Sequence, residues 1–372
     1  MSDKPEQSAK ERTVRAVAWL LIIGVLVAGG YWRQGQAEKR RLAELAANPT
    51  DEQSTVTGDK VQVSVDGIMG TKSSVTVWGL PAAEGKAASE AVLQIFRDVD
   101  TQFSTWKDDS EISKLNAAAA EGPVACSPRM WELLSASRTA WERSGGGFDV
   151  TAGPLMRLWG FYRKRQSLPS EAEVAEAAAK VGLDKVIFDD EAKTVQYTVP
   201  GMSIDFGGIA KGWALDLAKA ELERRGVATA LVDLGGNVLV LGTPPAGQDV
   251  YRIGIRHPRD RSGTVTTIGI LAASVATSGD YERFVEIDGR RYAHIMDPRT
   301  GRPIEGMSSV TVVARSGLAS DLVSTSVFVS PDRAEALMAE YDCLGILIIR
   351  PDAAGELQVT ELGDVWQSMA SE

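Results

Sequence analysis

Cysteine and histidine are both scarce in this sequence, with two of each among 372 residues. Cys126 and Cys343 are too few for a thiolate zinc site or a disulfide framework, and they permit one disulfide at most. Acidic residues outnumber basic ones by 50 to 40, whereas nucleic acid binding requires a surface of clustered Lys and Arg. The shortage of cysteine excludes thiolate zinc proteins and disulfide-rich proteins, and the excess of acidic residues argues against a nucleic acid partner.

The rest of the composition is that of a globular protein. Hydrophobic residues make up 44% of the chain and charged residues 24%, which excludes a disordered chain and a protein with many membrane spans. The length allows two ordinary domains or one large two-lobed domain.

Charge is also missing from one stretch near the N-terminus, since no charged side chain occurs between Arg15 and Arg33. As a helix this stretch would span roughly 26 Å, close to the ~30 Å core of a bilayer. A secretory signal peptide cleaved near residues 28–30 is the alternative, and the basic residues on both flanks leave the orientation open. We predict four segments: a tail at 1–15, a transmembrane anchor at 16–32, a polar stalk and linker at 33–57, and a folded domain at 58–372.

Beyond the stalk, short strand-like runs flank tight turns. Alternating apolar residues on either side of Asp66-Gly67 predict a hairpin, and those on either side of Asp288-Gly289 predict another. Val186-Ile187-Phe188 and Thr194-Val195-Gln196-Tyr197 predict a third. Because parallel strands cannot be joined by tight turns, hairpins interleaved with helices indicate an α+β fold with antiparallel sheets.

Helix signals lie between these hairpins. Apolar residues at helical spacing predict a helix over 88–103, and a second, buried one over 317–329. Ser127-Pro128 is typical of a helix start, and Ser170 with Glu173 forms a capping-box pattern.

Two glycine-rich segments can bring the backbone close to a ligand. Residues 205–212 (DFGGIAKG) follow an apolar run and open a helix, so their N–H groups and Lys211 face whatever lies at the helix N-terminus. A phosphate suits that position, although a glycine turn with a solvated lysine gives the same pattern. Residues 233–237 join two apolar strands, either as a hairpin turn or as a backbone wall against a ligand.

Polar side chains concentrate in three further segments. Residues 277–281 (TSGDY) precede the Asp288-Gly289 hairpin, and His294 follows it in a run rich in Asp, Arg and hydroxyl groups. A lone histidine is more often structural, but the density of polar groups favours a functional role here. Asp321 and Thr325 are four residues apart and therefore share one helix face, where they can ligate a hard cation or cap a helix.

Taken in order, these segments resemble the ApbE family, the FAD:protein FMN transferases, from about Met69 to Val329. The motifs that carry the resemblance are Met69-Gly70-Thr71, Phe103-Ser104-Thr105-Trp106, Ser110-Glu111-Ile112-Ser113 with Asn116, residues 146–155 running into Leu158-Trp159-Gly160-Phe161, residues 205–212, 233–237, 277–281, 294–303, and Ser309-Val310-Thr311-Val312 leading to Asp321 and Thr325.

The resemblance implies a two-lobed α+β domain that binds FAD, opens its diphosphate with Mg2+, and transfers FMN to a threonine of a partner flavoprotein with release of AMP. It implies that Asp321, the Thr325 hydroxyl and the Gly208 carbonyl hold the Mg2+. Trp106 stands where the family often has tyrosine, so the hydrogen bond of a phenol is in doubt there. The contacts to FAD implied by the resemblance come from Met69, Trp106, Gly147, Phe148, Asp149, Asp205, Lys211, Thr277, Ser278, Gly279 and Ile295.

His294 and Asp280 are the candidates for positioning or deprotonating the acceptor hydroxyl. Three function classes stay open: the transferase, an FAD pyrophosphatase that uses water, and a non-catalytic flavin-binding assembly factor for a respiratory enzyme. Retention of both Asp321 and Thr325 argues against the third. The implied partner is a flavoprotein of an exported electron-transfer system, so we expect residues 1–15 in the cytoplasm and the folded domain on the outer side of a bacterial inner membrane.

Overall fold

The structure is a computed structural model that describes residues 52–162, 165, 167–260 and 262–369. The predicted tail, the predicted anchor and most of the stalk lie outside these residues. Among the described helices, none is both long and apolar enough to cross a bilayer.

Helices are interspersed with runs of consecutive strands along the described chain. The helices are α1 (Ala82–Phe103), α2 (Glu111–Ala118), α3 (Pro128–Arg143), α4 (Gly153–Leu158), α5 (Glu171–Ala178), α6 (Ala210–Arg224), α7 (Gly317–Val329) and α8 (Ala334–Glu340), with short 3-10 helices at Leu183–Lys185, Pro331–Arg333 and Asp364–Met369. The strands are β1 (Gln53–Thr57), β2 (Lys60–Ile68), β3 (Thr71–Trp78), β4 (Val124–Ala125), β5 (Val186–Asp189), β6 (Thr194–Tyr197), β7 (Thr229–Leu234), β8 (Asn237–Gly242), β9 (Tyr251–Arg256), β10 (Thr264–Ile270), β11 (Ser274–Gly279), β12 (Phe284–Ile287), β13 (Arg290–Ala293), β14 (Met296–Asp297), β15 (Arg302–Pro303), β16 (Ser309–Ala314), β17 (Cys343–Pro351) and β18 (Leu357–Leu362).

Nine strands form one sheet in the order β1-β2-β3-β7-β8-β11-β16-β17-β18. Every neighbouring pair in it is antiparallel. The described residues also form four smaller sheets. Three are two-stranded (β9 with β10, β12 with β13, β14 with β15), and one is three-stranded, in the order β4-β6-β5. The prediction of an α+β fold with antiparallel sheets is confirmed.

The edge strand β1 lies in the segment that the sequence analysis gave to the linker. All five of its side chains are exposed, and it is held by antiparallel pairing with β2. A strand with no buried side chain has no hydrophobic period to reveal it, because only its backbone bonds define it. The folded domain therefore begins before residue 58.

The central strands bury both of their faces. In β17, Ile346 and Ile348 join the main core, while Leu347 and Ile349 join a second apolar cluster. Side chains alternate along a strand, so one apolar run supplies both clusters. Helices α1, α6 and α7 pack on the side of the main core, and the β9–β10 pair contributes to the second cluster.

The local turn and capping signals act largely as predicted. The Ser127 hydroxyl accepts the Met130 N–H at the start of α3, and Ser170 with Glu173 forms both hydrogen bonds of a capping box. The β12–β13 turn has Asp288 and Gly289 at φ of 52° and 74°, which the Asp-Gly pair favours. Residues 233–237 form the β7–β8 hairpin turn.

The first hairpin is displaced from its predicted turn. Strand β2 continues past Asp66-Gly67 through a register shift, and the chain reverses at Met69 and Gly70 instead. Both turn residues have positive φ, 51° and 70°. Asp66-Gly67 is therefore a bulge within the strand, where a glycine is also accommodated.

A third, smaller cluster holds the β12–β13 hairpin near α4 and α5. It includes Leu155 of α4, Trp159 directly after that helix, Val174 of α5, and Ile287 and Tyr292 of the hairpin. This packing fixes the segment that ends in His294.

Candidate active site

The site is built where α6 and α7 cross. The crossing depends on two glycines, since a Cβ added to Gly212 would lie 2.2 Å from the Gly317 carbonyl oxygen, and one added to Gly317 would lie 2.3 Å from that of Gly212. Asp216 strengthens the junction, because its carboxylate accepts the N–H groups of Gly317 and Leu318 at the start of α7. The close approach places the face of α7 that carries Asp321 against the first turn of α6.

Asp321 joins the two helices directly. Its side chain is buried, and Oδ2 accepts the Gly212 N–H at 2.8 Å. Oδ1 lies 3.5 Å from Nζ of Lys211, which is a long contact for an ion pair. Asp321 does not cap its own helix, since Ser316 does so by accepting the Ala319 N–H. One carboxylate oxygen is thus free for a further ligand.

Thr325 lies one turn along α7 from Asp321. Its hydroxyl is 3.2 Å from the Ser278 hydroxyl on β11, which is 2.8 Å from that of Ser324. Gly208 approaches the same point, because a Cβ added there would lie 3.4 Å from the Thr325 hydroxyl oxygen. The structure therefore brings together the three residues predicted to hold a metal.

The donor set at this point fits Mg2+. A carboxylate, a hydroxyl and backbone carbonyls are hard oxygen ligands, and Gly208 has no side chain to cover its backbone. Among the described residues no cluster of three or more His, Cys, Asp or Glu side chains could hold a metal ion by itself. A site with one carboxylate suits Mg2+, which usually completes its shell with water and substrate phosphates.

Asp205 organises the loop that leads into α6. One carboxylate oxygen accepts the Gly207 N–H at 2.7 Å, and the other accepts the hydroxyls of Thr105 and Tyr162. The Tyr162 ring meets Trp106 edge to face, with the centroids 5.5 Å apart. Trp106 is 60% exposed, which leaves its indole available for stacking on a planar ligand.

The motif at 147–149 supports the site through packing. The Phe148 ring lies beside Gly208, since a Cβ there would be 3.3 Å from it. Asp149 accepts N–H groups from Thr151 and Leu183, and burial raises the pKa of its carboxyl. This carboxylate therefore holds a turn, and its contact with FAD stays a prediction. A cleft of about 380 Å³ runs past Asp149 and is lined also by Trp141, Pro298 and Arg299.

His294 is held in one orientation beside Lys211 and Arg283. Its backbone N–H and its ring Nδ1 both lie 3.1 Å from the Arg283 carbonyl oxygen. Burial, together with the positive charges of Arg283 and Lys211, lowers the pKa of His294 to about 4. The ring is therefore neutral near pH 7, and a neutral ring that donates from Nδ1 leaves Nε2 as an acceptor.

Asp280 is committed elsewhere. Both of its carboxylate oxygens accept from the Arg259 guanidinium at 2.7 Å. Its backbone N–H bonds to the Ser308 carbonyl. A carboxylate with both oxygens engaged by one guanidinium has neither oxygen left unpaired, so the arrangement favours a positioning role over proton transfer.

The remaining predicted contacts are more dispersed. Met69 lies at the tip of the β2–β3 turn and packs against the main core, and the Thr277 hydroxyl bonds to that of Thr311. Gly279 closes β11, and Ile295 is buried. Their contacts with FAD stay predictions.

Sequence reasoning missed two residues of the site. Tyr162 follows directly after the Leu158–Phe161 motif and holds Asp205, yet a tyrosine in a loop carries no pattern of its own. Arg283 lies just before β12, and a single arginine there carries no sequence pattern that sets it apart from a solvated charge.

The fold and the site define an α+β protein in which a glycine-rich segment opens a helix beside the Asp321 and Thr325 side chains. The sequence profile of the ApbE family matches residues 69–347. The chain belongs to the ApbE family.

Named relatives agree with this assignment. The FAD:protein FMN transferase of Salmonella typhimurium is 32% identical over 312 residues, which are 82% of this chain and 88% of the relative. That of Treponema pallidum is 33% identical over 301 residues, covering 77% and 83%. Among solved structures, the flavin transferase ApbE from Vibrio cholerae has a TM-score of 0.73 at 28% identity, covering 85% of this chain and 99% of the other. The ApbE protein of Thermotoga maritima has a TM-score of 0.71 at 30% identity, covering 83% and 96%.

Proposed function

We propose that this protein is an FAD:protein FMN transferase, which moves the FMN half of FAD onto a threonine hydroxyl of a partner protein and releases AMP. The observation that carries the proposal is the convergence of Gly208, Thr325, Asp321 and Lys211 at the N-terminal end of α6. That helix end also presents backbone N–H groups, which favour an anionic ligand. The names of the relatives support the same activity.

The reaction exchanges one phosphorus–oxygen bond for another. The acceptor Oγ forms a bond to the phosphorus on the FMN side of the diphosphate, and the bond from that phosphorus to the bridging oxygen breaks. AMP leaves with the bridging oxygen and its electron pair, and the hydroxyl proton passes to a base. Negative charge grows on the AMP phosphate and on the non-bridging oxygens. Lys211, partly buried in the first turn of α6, is placed to offset that charge.

We further propose that Asp321, the Thr325 hydroxyl and the Gly208 carbonyl hold Mg2+. A bound Mg2+ would neutralise charge on the phosphate oxygens in the transition state. Support comes from the all-oxygen donor set and from the Asp321 oxygen that has only the 3.5 Å contact to Lys211.

His294 is the proposed proton acceptor. The Nδ1–H donates to the Arg283 carbonyl, so Nε2 can receive the proton of the acceptor hydroxyl. A pKa of about 4 makes the ring a weak base, but it keeps the ring unprotonated and ready across the neutral range. A weak base of this kind removes the proton late in the reaction step, because the forming Oγ–P bond has by then made the hydroxyl more acidic.

The direct test mixes the purified protein with FAD, Mg2+ and a candidate acceptor flavoprotein. Intact-mass and peptide mass spectrometry should find an FMN increment on one threonine of the acceptor, with AMP released in equal amount. An acceptor variant with that threonine replaced by valine is the control.

The other two function classes give different results in the same experiment. FMN and AMP released into solution without any labelled protein would identify a pyrophosphatase. Bound FAD that stays intact in the presence of Mg2+ and acceptor would identify a flavin-binding assembly factor. The Asp321 and Thr325 pair favours a reaction over binding alone, because FAD binding has no need of a metal.

We propose that residues 16–32 anchor the protein in a bacterial inner membrane, with residues 1–15 in the cytoplasm and the folded domain outside. The support is the uncharged stretch between Arg15 and Arg33 and the need to meet an exported acceptor where it is folded. Reporter fusions placed after Asn48 should be active only outside the cytoplasm. Activity of the cytoplasmic reporter would reverse the topology, and a mature protein that lacks the first ~30 residues would replace the anchor with a cleaved signal peptide.

A further inference from the structure

Arg283, immediately before β12, carries a positive charge that no described carboxylate neutralises. The acids next to it in sequence are paired with other arginines, Asp280 with Arg259 and Glu282 with Arg256. Arg283 itself is exposed, and within the described residues its guanidinium makes no ion pair or side-chain hydrogen bond.

Its neighbours on the same hairpin differ. Arg290 pairs with Glu305, and the Arg291 guanidinium stacks over the Phe284 ring at 4.5 Å. Arg290 and Arg291 thus each have a side-chain partner in the described structure, whereas Arg283 has none.

The backbone of Arg283 is tied to the active site. Its carbonyl oxygen accepts from both the backbone N–H and the ring Nδ1 of His294, so the backbone at Arg283 is fixed beside the proposed proton acceptor. Its charge acts on the His294 ring together with that of Lys211, which places both cations within electrostatic range of one imidazole.

Arg283 is also linked to the loop before α6 through Tyr162 and Asp205. Its charge also acts on the Tyr162 phenol, which donates to Asp205. Asp205 in turn accepts the Gly207 N–H, in the loop that opens α6. Through His294 and through Tyr162, Arg283 is therefore linked to the two ends of the 205–211 segment.

We propose that Arg283 is a phosphate-binding residue of this site and that the FAD diphosphate lies between its guanidinium and the N-terminal end of α6 with Lys211. The inference rests on the proposed function, because it takes FAD as the substrate. A guanidinium can donate to two oxygens of a phosphate at once, which an ammonium cannot do. A cation without a carboxylate partner can bind phosphate without first breaking an ion pair.

The experiment compares FAD with riboflavin, which has the same ring system but no phosphate. Flavin fluorescence titrations are run on the full-length protein, on Arg283→Gln and Arg283→Lys, and on Arg290→Gln as the matched control from the same hairpin. Arg283→Gln should weaken FAD binding about tenfold and leave riboflavin binding unchanged. Arg283→Lys should recover part of the loss, and the difference from wild type should shrink at high salt, since an exposed charge is screened.

The outcomes separate this inference from the proposed function. Unchanged FAD affinity in Arg283→Gln, or an equal loss for FAD and riboflavin, would overturn the role of Arg283 while leaving the transferase proposal intact. Failure of the wild-type protein to bind FAD at all would overturn both. A loss in Arg290→Gln as large as that in Arg283→Gln would show a general effect of hairpin charge and would also overturn the specific assignment.

Discussion

Asp321 combines burial, one short hydrogen bond and one long contact to a cation, which is an unusual state for a carboxylate. A buried charge is costly unless it is paired, and the proposed Mg2+ would supply the missing partner. At the level of single residues, Asp321 is the strongest link between this structure and phosphate chemistry.

Asp321→Asn should lower FMN transfer by at least about a hundredfold, because several kcal/mol of charge stabilisation depend on the metal. The fold should survive, since the amide oxygen of Asn can still accept the Gly212 N–H. The measurement is labelled acceptor per minute, alongside the thermal midpoint.

The matched control is Ser326→Ala on the same helix. The Ser326 hydroxyl bonds only to the Leu322 carbonyl of its own helix, so its loss should leave transfer nearly unchanged. Full activity in Asp321→Asn would show that the carboxylate merely holds α6 to α7.

The pH dependence of transfer should report on His294. Because its pKa is about 4 instead of 6.5, the ring stays neutral down to about pH 5. We expect kcat/KM to show no His-type loss between pH 7 and pH 5, and a fall only as the pH approaches 4. A midpoint near 6.5 that disappears in His294→Gln would show that the ring titrates normally.

The same group affects stability with a definite sign. Between about pH 4 and 6.5 the unfolded chain binds a proton at His294 that the folded protein does not, so the free energy of unfolding rises with pH across this window. The contribution is complete above 6.5 and is lost below 4. Urea titrations at a series of pH values, without FAD or metal, measure this dependence in the wild-type protein and in His294→Gln. The free energy of unfolding should rise less steeply with pH in the variant, and only between about pH 4 and 6.5.

At the level of elements, the crossing of α6 and α7 sets the geometry of the site. Gly212→Ala should destabilise the protein by about 1–3 kcal/mol, because its methyl group would meet the Gly317 backbone and force the helices apart. This loss would occur although alanine is intrinsically the better helix former. Transfer should fall with it, since Asp321 and Lys211 would separate.

Gly122→Ala provides the comparison for that substitution. A Cβ at Gly122 meets nothing within 4 Å, so the thermal midpoint should hardly move. Equal midpoints for the two variants would mean that the helices tolerate a wider crossing than the structure indicates.

The sequence predicted those elements whose signals are local. Helix α7, the capped start of α3 and the Asp288-Gly289 hairpin follow from periodicity, caps and turn residues within a few positions. Strand β1 was not predicted, because an exposed edge strand has no buried face to give a hydrophobic pattern. The turn of the first hairpin was placed wrongly, because a glycine suits a bulge as well as a turn. The resemblance supplied Gly208, Asp321 and Thr325 together, whereas periodicity alone left Asp321 as a possible cap.

Side-chain contacts between residues on separate loops could not be predicted from the sequence. Arg259 with Asp280, and Tyr162 with Asp205, join residues on separate loops, and their contact depends on how the sheet and helices pack. For that reason the sequence could not distinguish a positioning role of Asp280 from proton transfer.

For the whole molecule, metal binding should be visible as stability. A ligand that binds only the folded state stabilises it by about 2.7 kcal/mol at a hundredfold excess over Kd. Mg2+ should therefore raise the thermal midpoint of the wild-type protein in the presence of FAD, and chelation should abolish both this shift and transfer. Zn2+ should not replace it, given the oxygen-only donors.

The Asp321→Asn variant separates specific from general effects of the ion. It should show no Mg2+-dependent shift, and an equal shift in wild type and variant would place the metal elsewhere.

The contacts that complete the site span long stretches of chain. Thr105 meets Asp205 across 100 residues, and Gly212 meets Asp321 across 109. Contacts this distant in sequence form slowly in folding, because the entropy of closing a long loop is lost before the stabilising contact is made. A growing chain that ends before α7 has the glycine-rich segment 205–212 but lacks Asp321 and Thr325, the two side chains proposed to hold Mg2+. If these residues hold the metal as proposed, the enzyme is inactive during its own synthesis and begins to consume FAD only after α7 has been made and folded.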